Sequence, residues 1–192
     1  MSQQDVVVIY IGRFVRTSGY SFAAKTFCEA LRTANVPVLM VDIDSNDVVG
    51  PPAGLNLTVV SRKESLLIRA RQEDTNIIVI FHDTPDRYKQ LDFDGQVRRI
   101  GFHYFETDSY PVKWFEDAVE MDEIWTGSTF NKQTFAAAGI PDYMIDVVPH
   151  CLDTTLYGGK HSLMKVEGAK SFRFLTVVSN SNRRDIGMII SR

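Results

Sequence analysis

Cysteine is scarce in this chain of 192 residues: Cys28 and Cys151 are the only two, and most of the length separates them. A small secreted scaffold held by disulfides carries several at close spacing, so that class is excluded and a reducing, cytoplasmic setting is expected. Positive charge is not in excess either. With 21 basic and 24 acidic side chains the formal charge is −3, which leaves no surplus of cations to displace counterions from a phosphate backbone. Nucleic acid is therefore not expected as a main partner. Long hydrophobic runs are missing: the longest, such as Val6 to Ile11 and Ile77 to Phe81, are strand-sized and too short to span a bilayer. The polar start from Met1 to Asp5 has neither the basic region nor the apolar core of a secretory signal. Internal repeats and low-complexity tracts are absent as well.

What is present suits a folded domain, with 44% hydrophobic and 23% charged residues in a length that can bury a core. Short β-branched runs alternate with helical patterns, the sign of a parallel sheet built from βαβ units with helices on both faces. Strands are expected at 6–11, 36–43, 55–60, 77–82, 98–105, 123–125, 144–148 and 172–178. A helix follows Ser21, with Ala23, Phe27, Ala30, Leu31 and Ala34 as its apolar stripe and Pro37 just beyond it. A second is expected over 63–73. A third starts at Ser128, whose hydroxyl can cap the helix, and stops at Gly139.

From Cys151 to Ser171 the apolar periodicity fades, and the segment reads as a linker. Residues 172–192 then open a new strand, turn and helix. This is expected to be the start of a second domain, after a Rossmann-like first domain over 1–150.

In an open parallel sheet, ligands gather at the carboxyl ends of the strands. The loop after the first strand, Gly12 to Ser21, is neither GxGxxG nor a Walker loop. Gly19 serves either to present helix amides to a phosphate or simply to allow a tight entry into the helix. The fourth and fifth expected strands end in His82-Asp83 and in His103-Tyr104-Phe105-Glu106. His82 reads first as a hydrogen-bonded structural residue. His103 and Glu106 read as the wall of a pocket for proton transfer or sugar hydroxyls. His82, His103, Glu106 and Asp108 are also metal-ligand types, but no spacing such as HExxH occurs and no metal site is expected. His150 and Cys151 are adjacent on an extended segment, so they point apart and do not make a Cys–His nucleophile. Trp114 and Trp125 are expected as core anchors. Arg183-Arg184, after Asn180-Ser181-Asn182, stands at the mouth of the last expected helix, where a diphosphate would be favoured.

In order, several segments are similar to the amino-terminal half of a retaining glycosyltransferase of the GT-B fold, family-4 type. They are Ser18-Gly19-Tyr20, Ile100-Gly101-Phe102 through Glu106-Thr107-Asp108, then Pro111 and Trp114, Met121 to Trp125, Ser128 to Asn131, Gly139-Ile140-Pro141, Val147 to Asp153, and Phe174 to Val178 with Asn182 to Ile186. Cys151 stands where the family pattern has a glycine, and Arg183-Arg184 where it has Arg-Lys. The family's paired glutamates would lie beyond Arg192. The resemblance implies sugar transfer from a nucleotide-sugar donor to an acceptor hydroxyl, with retention and without a metal or other cofactor. It places Gly19, Arg183 and Arg184 on the donor's diphosphate. His103 and Glu106 fall at the reacting centre, and Tyr20, His82 and Ser128 on the acceptor side. The acceptor could be a glycan, a lipid-linked saccharide or a small molecule, with peripheral attachment at the inner membrane face allowed. A chain lacking most of the donor domain is expected to be weak or inactive alone. The alternative is a flavodoxin-like module binding flavin or phosphate through Thr17-Ser18-Gly19-Tyr20-Ser21.

Overall fold

The computed structural model describes residues 6–15, 18–45, 47, 49, 76–90, 97–158, 166–168 and 170. The strand expected at 55–60, the helix at 63–73, the strand and helix of 172–192, and Arg183 and Arg184 lie outside the described residues. The chain divides into two units, 1–157 and 158–192, and the sheet belongs to the first.

Six parallel strands form this sheet: β1 (Val6–Gly12), β2 (Val38–Asp42), β3 (Asn76–His82), β4 (Arg98–Phe102), β5 (Glu123–Thr126) and β6 (Ile145–Val147), in the order β2-β1-β3-β4-β5-β6. The fold is α/β and Rossmann-like. β1 and β3 are nearly all buried along their length, as strands covered on both faces must be. Helix α1 (Gly19–Thr33) covers one face, where Ala24, Phe27 and Cys28 pack with Val8, Tyr10, Ile80 and Phe102. Helices α2 (Val112–Ala118) and α3 (Thr129–Ala137) supply Ala118 and Phe135 to the other, packing with Ile9, Val79, Phe81 and Ile124.

Local chemistry sets the helix ends. Ser18 and Ser128 cap α1 and α3, their hydroxyl oxygens accepting from the amides of Ser21 at 3.1 Å and Asn131 at 3.2 Å. Helix α1 ends through Asn35 at φ 58°, with the Val36 amide donating to Leu31 O at 2.9 Å. Helix α3 ends through Gly139 at φ 103°, and the Ile140 amide donates to Phe135 O at 3.1 Å. Both are left-handed terminations that satisfy late carbonyls.

The structure differs from the sequence reading in several places: α1 begins at Gly19 rather than after Ser21, and α2 lies where no helix was expected. The buried stripe of α1 is Ala23, Ala24, Phe27 and Cys28, while Ala30 and Ala34 face outward. Gly12 explains the rotation: a Cβ there would stand 3.2 Å from Ala24 Cβ, so the helix rests closely on β1 through its smallest residues. Strand β4 ends at Phe102, so His103 to Phe105 form a connection outside the strand. A single helical turn, α4 (Thr154–Tyr157), lies inside the segment read as linker.

A close approach in the core is testable. A Cβ on Gly101 would fall 2.6 Å from Cε2 of the fully buried Tyr88 ring. Gly101→Ala should therefore cost about 1–3 kcal/mol through overpacking, measured as a lower denaturation midpoint at unchanged m-value. A loss below about 0.5 kcal/mol would show that the Tyr88 ring is free to shift.

Candidate functional site

The strand order reverses between β1 and β3, since β2 lies on one side of β1 and β3 to β6 on the other. The crevice above such a reversal is where open α/β sheets hold ligands. The last residues of the first four strands, and Trp125 one residue before the end of β5, are in register across it, with Asp42 opposite Gly12, Gly12 opposite His82, His82 opposite Phe102, and Phe102 opposite Trp125. Partners in a parallel sheet share a face. This row therefore faces α1, and Phe102, Trp125 and Phe27 pack together there.

The same rule separates the two histidines that the sequence placed at neighbouring strand ends. His82 belongs to the row, while His103 follows Phe102 and points to the opposite face. There the fully buried His103 stacks on Phe135 at 4.6 Å. Both of its ring nitrogens are engaged, Nδ1 with the Tyr88 hydroxyl at 3.0 Å and Nε2 with the Tyr110 hydroxyl at 2.8 Å. Burial holds its pKa down at about 3, so it is neutral, and one tyrosine donates to it while the other accepts. The segment leaving β4 is pinned further by Thr126, whose hydroxyl donates to His103 O at 3.0 Å, and by the buried Asn131, whose amide donates to Phe105 O.

His82 is different. It is fully buried and stacks on Phe102 at 4.4 Å, and its Nδ1 meets the Tyr10 hydroxyl at 2.6 Å. Burial, followed by the nearby His150 and His103, lowers its pKa to about 3. Burial also raises that of Tyr10 well above its ordinary value, so both groups are neutral. The Tyr10 hydroxyl proton has no other acceptor among the described residues, so Tyr10 donates to Nδ1 and the proton of His82 sits on Nε2. That Nε2–H is buried and without a partner among the described residues, and so is the hydroxyl of Tyr104. Each such group costs about 1–3 kcal/mol. Tyr20 and Tyr104 both lie 5.6 Å from the His82 ring, and His150 stacks on Tyr104 at 4.6 Å. Tyr104 fits because residue 127 is glycine, where a Cβ would come within 2.7 Å of the ring.

Charge surrounds this aromatic group. Arg13, after β1, makes a two-point pair with Asp83, after β3, through Nε at 2.6 Å and Nη2 at 3.1 Å. Arg87 donates to Asp44 at 2.9 Å. The buried Asp42 accepts the amides of Phe14 and Val15 on one oxygen and of Asp44 and Ser45 on the other. Burial pushes its pKa up, but these four amides together outweigh that and hold it below the ordinary value. The carboxylate so fixes the loop after β1. Glu106 is exposed. Tyr20, half-buried, is pushed up to about 12 by burial first, then by the charges of Asp83 and Glu106.

Of the residues singled out in the sequence, the structure gathers Tyr20, His82 and the charge of Glu106 around one edge and sends His103 to the far face. Ser128 is half-buried, its oxygen engaged as a cap. Gly19 is exposed, and a Cβ on it meets nothing within 4 Å, so no steric demand of the fold requires glycine there. Cys28 is buried and Cys151 half-buried, and both are free thiols. Tyr104, Tyr10, the Arg13–Asp83 pair, Asp42 and Asn131 were given no role from sequence. Polar residues at strand ends were the available signal. An open groove of about 510 Å³ lies between α1 and the segment after β6, with Glu29 and Asp153 as its charged members. No group of three or more His, Cys, Asp or Glu among the described residues is placed to hold a metal ion. No helix among them is long and apolar enough to cross a membrane.

No protein-family model matches the chain, and no curated protein matches it. Among solved structures it is similar to the crystal structure of Anabaena Alr3699/HepE in complex with UDP and glucose, at 11% identity and a TM-score of 0.43. The match covers 81% of this chain and 46% of that one, so the chain spans about half of its length.

The buried neutral histidines generate a pH dependence. Each has a folded pKa near 3 against an ordinary 6.5, so the unfolded chain binds more protons between these values and stability falls as pH drops through that window. The slope expected from the pair is about 2.7 kcal/mol per pH unit well below pH 6.5, or about 1.4 per histidine. Denaturant midpoints between pH 7 and 5 measure it, and His103→Gln should remove about one proton from the slope. An unchanged slope would mean that His103 takes up its proton in the folded state.

Proposed function

We propose that this chain is the acceptor-side half of a retaining glycosyltransferase, which moves a sugar from a nucleotide-sugar donor to an acceptor hydroxyl. The observation that carries the reading is the convergence of Tyr20, Tyr104, His82 and the Arg13–Asp83 pair at the β1/β3 reversal. The ordered motifs that resemble the family support it in sequence. Glu106 is the exposed carboxylate of this edge, and it serves the acceptor hydroxyl or the transferred sugar. His103 touches no substrate; between Tyr88 and Tyr110 it is a positioning residue for the segment that carries Tyr104 and Glu106. The amides around Gly19 and the guanidinium groups of Arg183 and Arg184 stabilise the charge of the departing diphosphate.

A screen of nucleotide-sugars for hydrolysis and transfer, run on the complete product of the gene beside the 192-residue chain, tests this. Transfer by the complete product is expected, with a loss of about 10²-fold or more in kcat on Arg184→Ala. Absence of transfer in every case, or a yellow protein releasing flavin on denaturation, would overturn the assignment. Gly19→Ala should leave the denaturation midpoint nearly unchanged, because its Cβ meets open space, while weakening donor affinity measured by KM. An unaltered KM would remove Gly19 from the donor site.

A further inference from the structure

The segment that carries Glu106 leaves β4 after Phe102, and a buried side chain on the first turn of α3 holds the last peptide before Glu106. We propose that Asn131 is a positioning residue for the reaction: through the carbonyl of Phe105 it fixes the Phe105–Glu106 peptide plane, and so the direction in which the Glu106 side chain leaves the backbone. The inference rests on the acceptor-side reading for the task of Glu106, while the positioning itself is measured without substrate.

Strand pairing ends with the His103 amide, which donates to Trp125 O at 3.2 Å. Beyond it, polar backbone groups of the segment bond to side chains drawn from three other elements. The Thr126 hydroxyl on β5 donates to His103 O, the Tyr20 hydroxyl on α1 accepts from the Tyr104 amide, and Asn131 on α3 donates from Nδ2 to Phe105 O. The last of these bonds is the one nearest the carboxylate. A peptide unit is planar, so the Phe105 carbonyl, the Glu106 amide and the Glu106 Cα turn as one body. Holding that oxygen holds the plane on which the Glu106 side chain is built. His103 acts three residues earlier, where the soft rotations of Tyr104 and Phe105 still intervene.

The donor is itself held in place. Asn131 is buried, its backbone amide donates to Ser128 Oγ, and its Oδ1 lies 3.3 Å from the Thr126 hydroxyl. Both ends of the side-chain amide are therefore engaged, and because a carbonyl only accepts, the end at Phe105 O is the nitrogen. The place in the helix matters too. Asn131 stands three residues after the cap Ser128, where a Glu or Gln side chain would reach back to the amide of the cap. Here the side chain turns instead to a segment 26 residues away. Ser128 caps the helix by accepting the backbone amide of Asn131, so that cap does not use the bond to Phe105.

The experiment is backbone ¹⁵N relaxation on the 192-residue chain, with Asn131→Ala and Asn131→Asp beside the unaltered protein. Asn131→Asp keeps the shape and puts a carboxylate in the first turn, where the helix dipole favours it, so it retains the helix and loses the donor. In both variants the order parameter of the Glu106 amide should fall from about 0.85 to below about 0.6, while the amides of β4 and α3 stay rigid. If Asn131→Ala fails to fold, Asn131→Asp decides. In the complete gene product, Asn131→Asp should lower kcat about 10²-fold at unchanged KM for the nucleotide-sugar. In a Glu106→Gln background the same change should lower kcat by less than about twofold, because a residue that acts through Glu106 has nothing left to position. A merely structural role gives equal losses with and without Glu106→Gln, or a Glu106 amide as rigid as before; either result would overturn the proposal, as would a Glu106 amide already below about 0.6 in the unaltered protein. If the complete product transfers no sugar, the acceptor-side reading falls and the Glu106 order parameter alone decides the positioning.

Discussion

The register of the parallel sheet at its carboxyl edge is the constraint on which the arrangement depends. Asp42, Gly12, His82, Phe102 and Trp125 stand side by side on adjacent strands, and parallel partners project to one face. That single row puts a histidine under α1, an aromatic ring beside it for stacking, and a glycine where the helix must come close. It also decides that the residue after Phe102 turns away. Hydrogen bonds along each strand hold this register, and a slip by one residue would move His82 into the opposite layer.

The two histidines illustrate what burial does to similar side chains in different company. Both are neutral because desolvation disfavours the imidazolium. His103 has a tyrosine on each nitrogen and so completes a closed network, which fixes the segment leaving β4. His82 has one tyrosine and one open donor. The first arrangement stabilises the fold; the second leaves one ring nitrogen without a partner among the described residues. Glycines make both arrangements possible, since Tyr88 lies against Gly101 and Tyr104 against Gly127 at distances no Cβ would allow.

Much of the architecture was legible in the residues alone. β1 and β3 are found within a residue or so of their apolar runs, because continuous β-branched stretches bounded by polar turns have few other solutions; β5 and β6, short and mixed in character, also fall within a residue of the expected bounds. The caps at Ser128 and Gly139 were readable for a similar reason: hydroxyl and glycine act on the nearest few amides and carbonyls. The face of α1 was harder. Alanine is compatible with either side of a helix, and Ala24 was chosen over Ala30 by the missing side chain of Gly12, which is distant in sequence. The site was legible only in part. Tyr20, His82, His103 and Glu106 could be singled out as polar residues near strand ends, but not the sheet face that each would occupy.

Composition, periodicity and turn chemistry were sufficient to give the chain an α/β class, strand-sized apolar runs and the two ends of the helix between Ser128 and Gly139, because these act over a few neighbouring residues. Pairing across the sheet assigned the rest. It brought Arg13 to Asp83 over an interval of 70 residues and Tyr10 to His82 over 72, and it left His82 Nε2 and the Tyr104 hydroxyl without partners among the described residues. Whether a buried polar atom is satisfied depends on which distant strand lies beside it, and spacing along one chain carries no record of that.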